Sequence, residues 1–155
     1  MKAEIERKFL VNEKWHAAAY KANGIYIAQG YLNSDISRTV RVRIKGEQGY
    51  LTIKGKNNGI SRQEFEYPIP LADAKELLKL CPAPIIEKTR YIIPIDNLKW
   101  EVDVFHGAND GLIIAEIELP TEDYPFNKPK WIEKEVSDDP RYYNSSLAKT
   151  PFSCW

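Results

Sequence analysis

The sequence predicts an α+β chain built on a closed, eight-stranded antiparallel β-barrel with helices packed outside it, and its charge pattern carries that expectation. Charge recurs at every second position: Glu4 and Glu6 with Lys8, Arg41 and Arg43, Glu64 and Glu66, Lys88 and Arg90, Glu101 and Asp103, Glu116 and Glu118. Side chains two apart on a strand share a face, so each of these segments has one charged wall. The residues between the charges, among them Val42, Ile53, Phe65, Val102 and Ile117, are apolar and need burial of their own. Finally, eight predicted strands in mostly hairpin order is the count at which an antiparallel sheet can close on itself.

The elements follow in order. The first strand is centred on residues 4–8. Asn12 has the chemistry of a helix cap, and a short helix is predicted through Tyr20, with Trp15, Ala18 and Ala19 on one face and Gly24 as its stop. Strands are predicted over residues 25–33, 38–45, 50–54 and 60–69. The loop signal over residues 33–35, the connection over 46–49 and the turn over 55–59 separate them. The period then changes: Leu71, Ala74, Leu77, Leu78 and Cys81 form a helical stripe over residues 71–80, ended by Pro82-Ala83-Pro84. Strands resume over residues 85–95, 100–105 and 112–119, residues 131–136 pack back, and 142–149 read as a last helix.

Bulk composition excludes more than it assigns. A chain of 155 residues is about the size of one domain, and one domain spanning 1–155 is expected. With 22 basic and 22 acidic residues the net charge is zero, so no global field draws it to nucleic acid or a membrane. Residues 1–11 mix charge into their apolar positions, unlike a signal peptide, and no run approaches the ~20 apolar residues that span a bilayer. Two distant cysteines, Cys81 and Cys154, with no Cys/His cluster suggest neither zinc nor a disulfide framework. A cytoplasmic protein is expected.

An antiparallel sheet often turns one polar face to water, so a lone Glu-x-Glu says little. If helices cover the apolar faces from outside, however, the charged faces meet inside the barrel. Such an interior is wet or filled by a charged ligand, because dry, unpaired ions are costly to bury. Carboxylates without His or Cys favour a hard cation such as Mg²⁺ or Mn²⁺, and Arg and Lys favour phosphate oxygens. A metal-bound polyphosphate satisfies both.

The ordered segments Glu4-Ile5-Glu6-Arg7-Lys8, Gln29-Gly30-Tyr31, Arg41-Val42-Arg43, Leu51-Thr52-Ile53-Lys54, Arg62-Gln63-Glu64-Phe65-Glu66, Glu87-Lys88-Thr89-Arg90-Tyr91, Glu101-Val102-Asp103 and Glu116-Ile117-Glu118 together resemble the CYTH superfamily, the triphosphate tunnel metalloenzymes, in its short bacterial form. Residues 131–136 and Tyr143-Asn144-Ser145-Ser146-Leu147 resemble its closing segments. The resemblance implies a tunnel that binds a small triphosphate with Mg²⁺ or Mn²⁺. Glu4, Glu6, Glu116 and Glu118 are then the expected metal ligands, and Arg41, Arg43, Lys54, Lys88 and Arg90 the phosphate clamp. Lys8 and Tyr31 are the expected catalytic pair, and Glu64, Glu66 and Asp103 are tunnel acids without an assigned duty. The expected activity is hydrolysis of inorganic tripolyphosphate. The alternatives are a class IV type adenylyl cyclase, a thiamine or nucleoside triphosphatase, and a non-catalytic polyphosphate-binding module. No nucleic-acid or membrane partner is expected, and the oligomeric state is open, a homodimer included.

Overall fold

Among the described residues, nine strands form one antiparallel sheet: β1 (Lys2–Val11), β2 (Ile25–Asn33), β3 (Arg38–Lys45), β4 (Gln48–Gly55), β5 (Ser61–Ile69), β6 (Ile86–Ile95), β7 (Leu98–Phe105), β8 (Ile113–Glu118) and β9 (Ile132–Glu135). The structure is a computed structural model and describes residues 2–33, 35–82 and 84–155. Met1, Ser34 of the predicted loop and Ala83 of the predicted helix stop lie outside the described residues.

The strand order β5-β4-β3-β2-β6-β7-β8-β1 closes on itself because β1 also pairs with β5. One edge of β1 bonds to β8, with Glu6 opposite Glu118 and Lys8 opposite Glu116. Its other edge is shared: Lys2 to Ile5 pair with β5, while Phe9 and Val11 pair with β9, which lies outside the ring. Eight strands thus form the barrel, as the charge periodicity predicts. The β6–β7 hairpin turns on Asp96 and Asn97, whose φ values of 52° and 64° suit a tight two-residue connection.

The outward apolar residues are covered as the barrel requires. Val42 packs beneath Ala74 and Leu78 of helix α2 (Leu71–Lys79). That helix sits so close that a Cβ on Gly49 would stand 2.8 Å from the Ala74 Cβ. On the other side Phe9, Trp100, Val102 and Ile117 are buried with Trp15, Leu119 and Trp131. Ile53 and Phe65 are only half-buried.

Two helices are shorter than predicted. The segment expected to be helical from Asn12 to Tyr20 contains only α1 (Trp15–Ala18). Asn12 does not cap it: its oxygen accepts the Lys14 N–H at 3.0 Å, while its nitrogen donates to the Lys130 carbonyl and to Glu133. Trp15 and Ala19 face the core, and Ala18 is exposed. The final helix is interrupted at Tyr143, which is extended with ψ 136°, so α3 runs Asn144–Lys149 after a 3₁₀ turn at Pro140–Tyr142.

The short α3 plugs one end of the barrel. Its Leu147 and Ala148, with Tyr142 and Val136, are buried against Tyr31, Ile86, Phe105 and Ile114. Those last four share strand parity with Gln29, Lys88, Asp103 and Glu116, so they are inward-facing residues at one end of the barrel. Among the described residues, no helix is long and apolar enough to cross a membrane.

Candidate active site

The barrel encloses about 970 Å³ of empty space, open mouth included. β1 contributes Glu4, Glu6 and Lys8 to its wall, β2 contributes Tyr31, and β3 contributes Thr39, Arg41 and Arg43. Lys54 of β4 and Arg62 and Glu64 of β5 continue it. Lys88 and Arg90 of β6, Glu101 of β7, and Glu116 and Glu118 of β8 close the circle. Every residue expected to bind metal, bind phosphate or act in catalysis therefore faces one cavity. Two of the expected tunnel acids do not line it. Asp103 is fully buried behind Lys88 and Arg90, and Glu66 stands at the rim, exposed, where it accepts hydrogen bonds from Thr52 at 2.9 Å and Arg41 at 3.5 Å.

The cations are held by acids across neighbouring strands. Arg90 donates to Asp103 through Nε at 2.7 Å and Nη2 at 2.9 Å, and Nη1 reaches Glu101 at 3.0 Å. Lys88 lies 2.8 Å from the same Asp103 carboxylate. Burial works against the Asp103 charge, but Arg90 and Lys88 outweigh it and hold its carboxyl well below the usual range. Burial pushes the Lys88 ammonium down to about 7; Asp103 opposes this, whereas Arg90 and Arg43 add to it. Arg43 is lowered to about 9 by burial and by Arg41 and Arg90. Lys8 goes the other way: burial is more than offset by Glu116, Glu6, Tyr31 and Glu4, so its pKa is raised and it remains an ammonium.

Arg41 shows what is missing from this balance. It is buried, and among the described residues its Nε has no hydrogen-bond partner. A buried cationic donor without an acceptor is costly, and a phosphate oxygen in the cavity would satisfy it.

The carboxylates offer only oxygen donors, which suits a hard divalent cation rather than zinc. The register places Glu6 beside Glu118, and Glu116 between Lys8 and Glu101. Among the described residues, no three His, Cys, Asp or Glu side chains already converge on one point. Glu4 is drawn 2.7 Å from Lys54, and Glu116 lies 3.6 Å from Lys8. The donor chemistry fits Mg²⁺ or Mn²⁺, provided those lysines exchange their carboxylates for phosphate. Glu64 adds a further strained charge: burial and the neighbouring Glu4 raise its pKa.

Sequence reasoning missed one wall. Ser137, Tyr143, Asn144 and Ser145 line the cavity from the segment after β9. Ser137 accepts the Lys8 backbone N–H at 2.9 Å and donates to Glu135 at 2.6 Å, and Arg7 donates from Nε to Glu135 at 2.9 Å. The Tyr143 ring lies 5.6 Å from the Lys8 ammonium. Arg62 also faces the cavity while its guanidinium holds the Gly55 carbonyl at 2.9 Å.

The family profile of the CYTH domain matches residues 2–149. An inorganic triphosphatase of Acetivibrio thermocellus is 51% identical over 98% of this chain and 97% of its own. One from Nitrosomonas europaea is 36% identical over 94% of this chain and 96% of its own. Among solved structures, the inorganic triphosphatase NE1496 superposes with a TM-score of 0.64 at 34% identity, covering 94% of this chain and 97% of that one. The barrel, its charged interior and these relatives agree: the chain belongs to the CYTH domain family.

Proposed function

We propose that this protein is a divalent-metal-dependent hydrolase of a small linear triphosphate, with inorganic tripolyphosphate as its substrate, and that residues 1–155 form a single domain. Two relatives are named inorganic triphosphatases, hydrolases of phosphoanhydride bonds. The observation that carries the reading for this chain is the buried Arg41 Nε, without a partner among the described residues, in a wall of cations faced by carboxylates.

The cleaved bond is a phosphoanhydride: a water oxygen attacks phosphorus, the bridging oxygen leaves with the bonding electrons, and orthophosphate and diphosphate result. Such a reaction depends on position and charge neutralisation. Arg41, Arg43, Lys54, Lys88 and Arg90 bind the phosphate oxygens, with Arg90 and Lys88 held in place by Asp103. Glu4, Glu6, Glu116 and Glu118 would hold the cation, which when bound neutralises phosphate charge and acidifies water. Lys8, kept protonated by its acidic neighbours, acts as a cation on the developing negative charge and not as a base. Tyr31 stands opposite Arg41 on β2, within reach of the same region. The free thiols of Cys81 and Cys154 suit a reducing cytoplasm.

The test is phosphate release from tripolyphosphate, ATP and thiamine triphosphate side by side, with Mg²⁺, Mn²⁺ or EDTA. Rapid, EDTA-sensitive cleavage of tripolyphosphate with slow cleavage of ATP is expected, and Glu4→Gln and Glu118→Gln should abolish it. Near-wild-type turnover by both variants would sink the metal assignment. Cyclic AMP and diphosphate from ATP would replace the hydrolase with a cyclase, and binding without release would leave a binding module.

A further inference from the structure

We propose that Asn144, at the start of α3, is a substrate-binding residue whose side-chain nitrogen donates to a phosphate oxygen at the plugged end of the tunnel. The inference rests on the triphosphate reading above and extends the binding site beyond the barrel strands.

The orientation of this amide is forced from two sides. Arg43 Nε donates to Gln29 Oε1 at 2.9 Å, and a guanidinium has no acceptor, so the Gln29 oxygen must face Arg43. The Gln29 nitrogen then donates to Asn144 Oδ1 at 3.3 Å. Lys88, also a donor only, reaches the same Oδ1 at 3.1 Å. With two donors on its oxygen, Asn144 cannot be flipped, and Nδ2 is the half of the amide still available. Among the described residues no acceptor meets Nδ2, and Asn144 lines the cavity.

Lys88 completes the socket. As the ammonium that a bound anion favours, Lys88 has three protons; Asp103 at 2.8 Å and Asn144 at 3.1 Å take two of them, which leaves one for an anion in the cavity that Lys88 lines. One ammonium proton and one amide N–H, on residues already in contact, thus stand together near the apolar plug. An anionic oxygen satisfies both. Linear tripolyphosphate has a free terminal phosphate that can reach such a closed end.

A merely structural Asn144 would tie the plug to the barrel through its acceptor, and aspartate keeps that acceptor while losing the donor. The experiment compares KM and kcat for tripolyphosphate in wild type, N144D, N144A and S145D, with the thermal midpoint of each. S145D adds the same charge to the same wall without removing the donor. Expected is an N144D KM at least tenfold above wild type and clearly above that of S145D, with aspartate failing to restore what N144A loses. An N144D KM within threefold of wild type, or no higher than that of S145D, overturns the proposal. Should N144D not fold, the assigned Asn144 side-chain amide of ¹⁵N-labelled wild type decides. It is expected to shift and to become protected from solvent exchange when tripolyphosphate binds, and an unchanged resonance overturns the assignment. Loss of tripolyphosphate turnover in wild type itself would remove the parent reading and this one together; intact turnover with an indifferent N144D removes this one alone.

Discussion

Asp103→Asn separates a residue that holds the site from residues that line it. Asp103 is fully buried and accepts from Arg90 at 2.7 and 2.9 Å and from Lys88 at 2.8 Å. Asparagine keeps the shape but leaves buried Lys88 without its counterion and Arg90 with Glu101 alone, and it turns an amide nitrogen toward one of them. Removing one partner of a buried ion pair costs about 3–5 kcal/mol. Lys88, already lowered to about 7, can shed its proton and bring the loss to the lower end of that range. At roughly 2–4 °C per kcal/mol for a domain of this size, a loss of about 3 kcal/mol should lower the midpoint by about 6–12 °C. Calorimetry at pH 7.5 measures it, with and without tripolyphosphate. A bound polyanion supplies the missing charge, so the ligand-induced rise should be larger in the variant than in wild type. The pH dependence has a definite sign: the folded pKa is depressed, so the contribution is complete above the ordinary aspartate value near 4 and is lost as pH falls through the folded value. The two proteins should therefore converge in strong acid. A fall of less than about 3 °C at pH 7.5 would refute the reasoning.

The depressed Lys88 pKa predicts proton uptake on binding, because phosphate restores the ammonium. Between about 7 and the ordinary value of 10.5, tripolyphosphate binding should take up a proton. Titration calorimetry at pH 8 in buffers of different ionisation enthalpy should show this in wild type and less in Lys88→Met; equal slopes would refute it. A third expectation concerns α2. A Cβ on Gly30 would lie 2.7 Å from Cys81 Sγ and 3.4 Å from Leu78 Cδ2, so Gly30→Ala should cost about 1–3 kcal/mol. The Gly30→Ala, Cys81→Ala double variant should recover much of the loss, and strict additivity of the two would count against a close contact.

The charged wall was legible because the pleat fixes which face a side chain takes, and Glu4, Arg41, Glu64, Lys88 and Glu116 all obey it. Parity gives the face and not the depth. Glu101 and Asp103 alternate together on β7, yet Glu101 lines the cavity and Asp103 is sealed behind Arg90 and Lys88. The helix predicted over residues 12–20 is overextended because Asn12, a capping residue type, spends its oxygen on the Lys14 N–H in the turn ahead of α1, which itself starts only at Trp15. Ser137 lies outside the predicted strands and helices, and Asn144, though inside the predicted last helix, reaches the site only through tertiary folding, so the charge alternation marks neither.

The plug itself, however, leaves a trace in the same periodicity. Followed one step past the charges, the inward series turns apolar on four strands: Lys8 to Leu10, Lys88 to Ile86, Asp103 to Phe105, and Glu116 to Ile114. Antiparallel registry brings these steps to one end of the barrel, where Leu147 and Ala148 meet them. A barrel open at both ends would gain nothing from a ring of inward apolar residues at one of them. That ring requires an apolar partner, and Leu147-Ala148, following the polar run Asn144-Ser145-Ser146, supplies it while carrying the polar run to the cavity wall. The closing segment is thus both stopper and floor, because the burial of Leu147 sets where the Asn144 amide comes to rest.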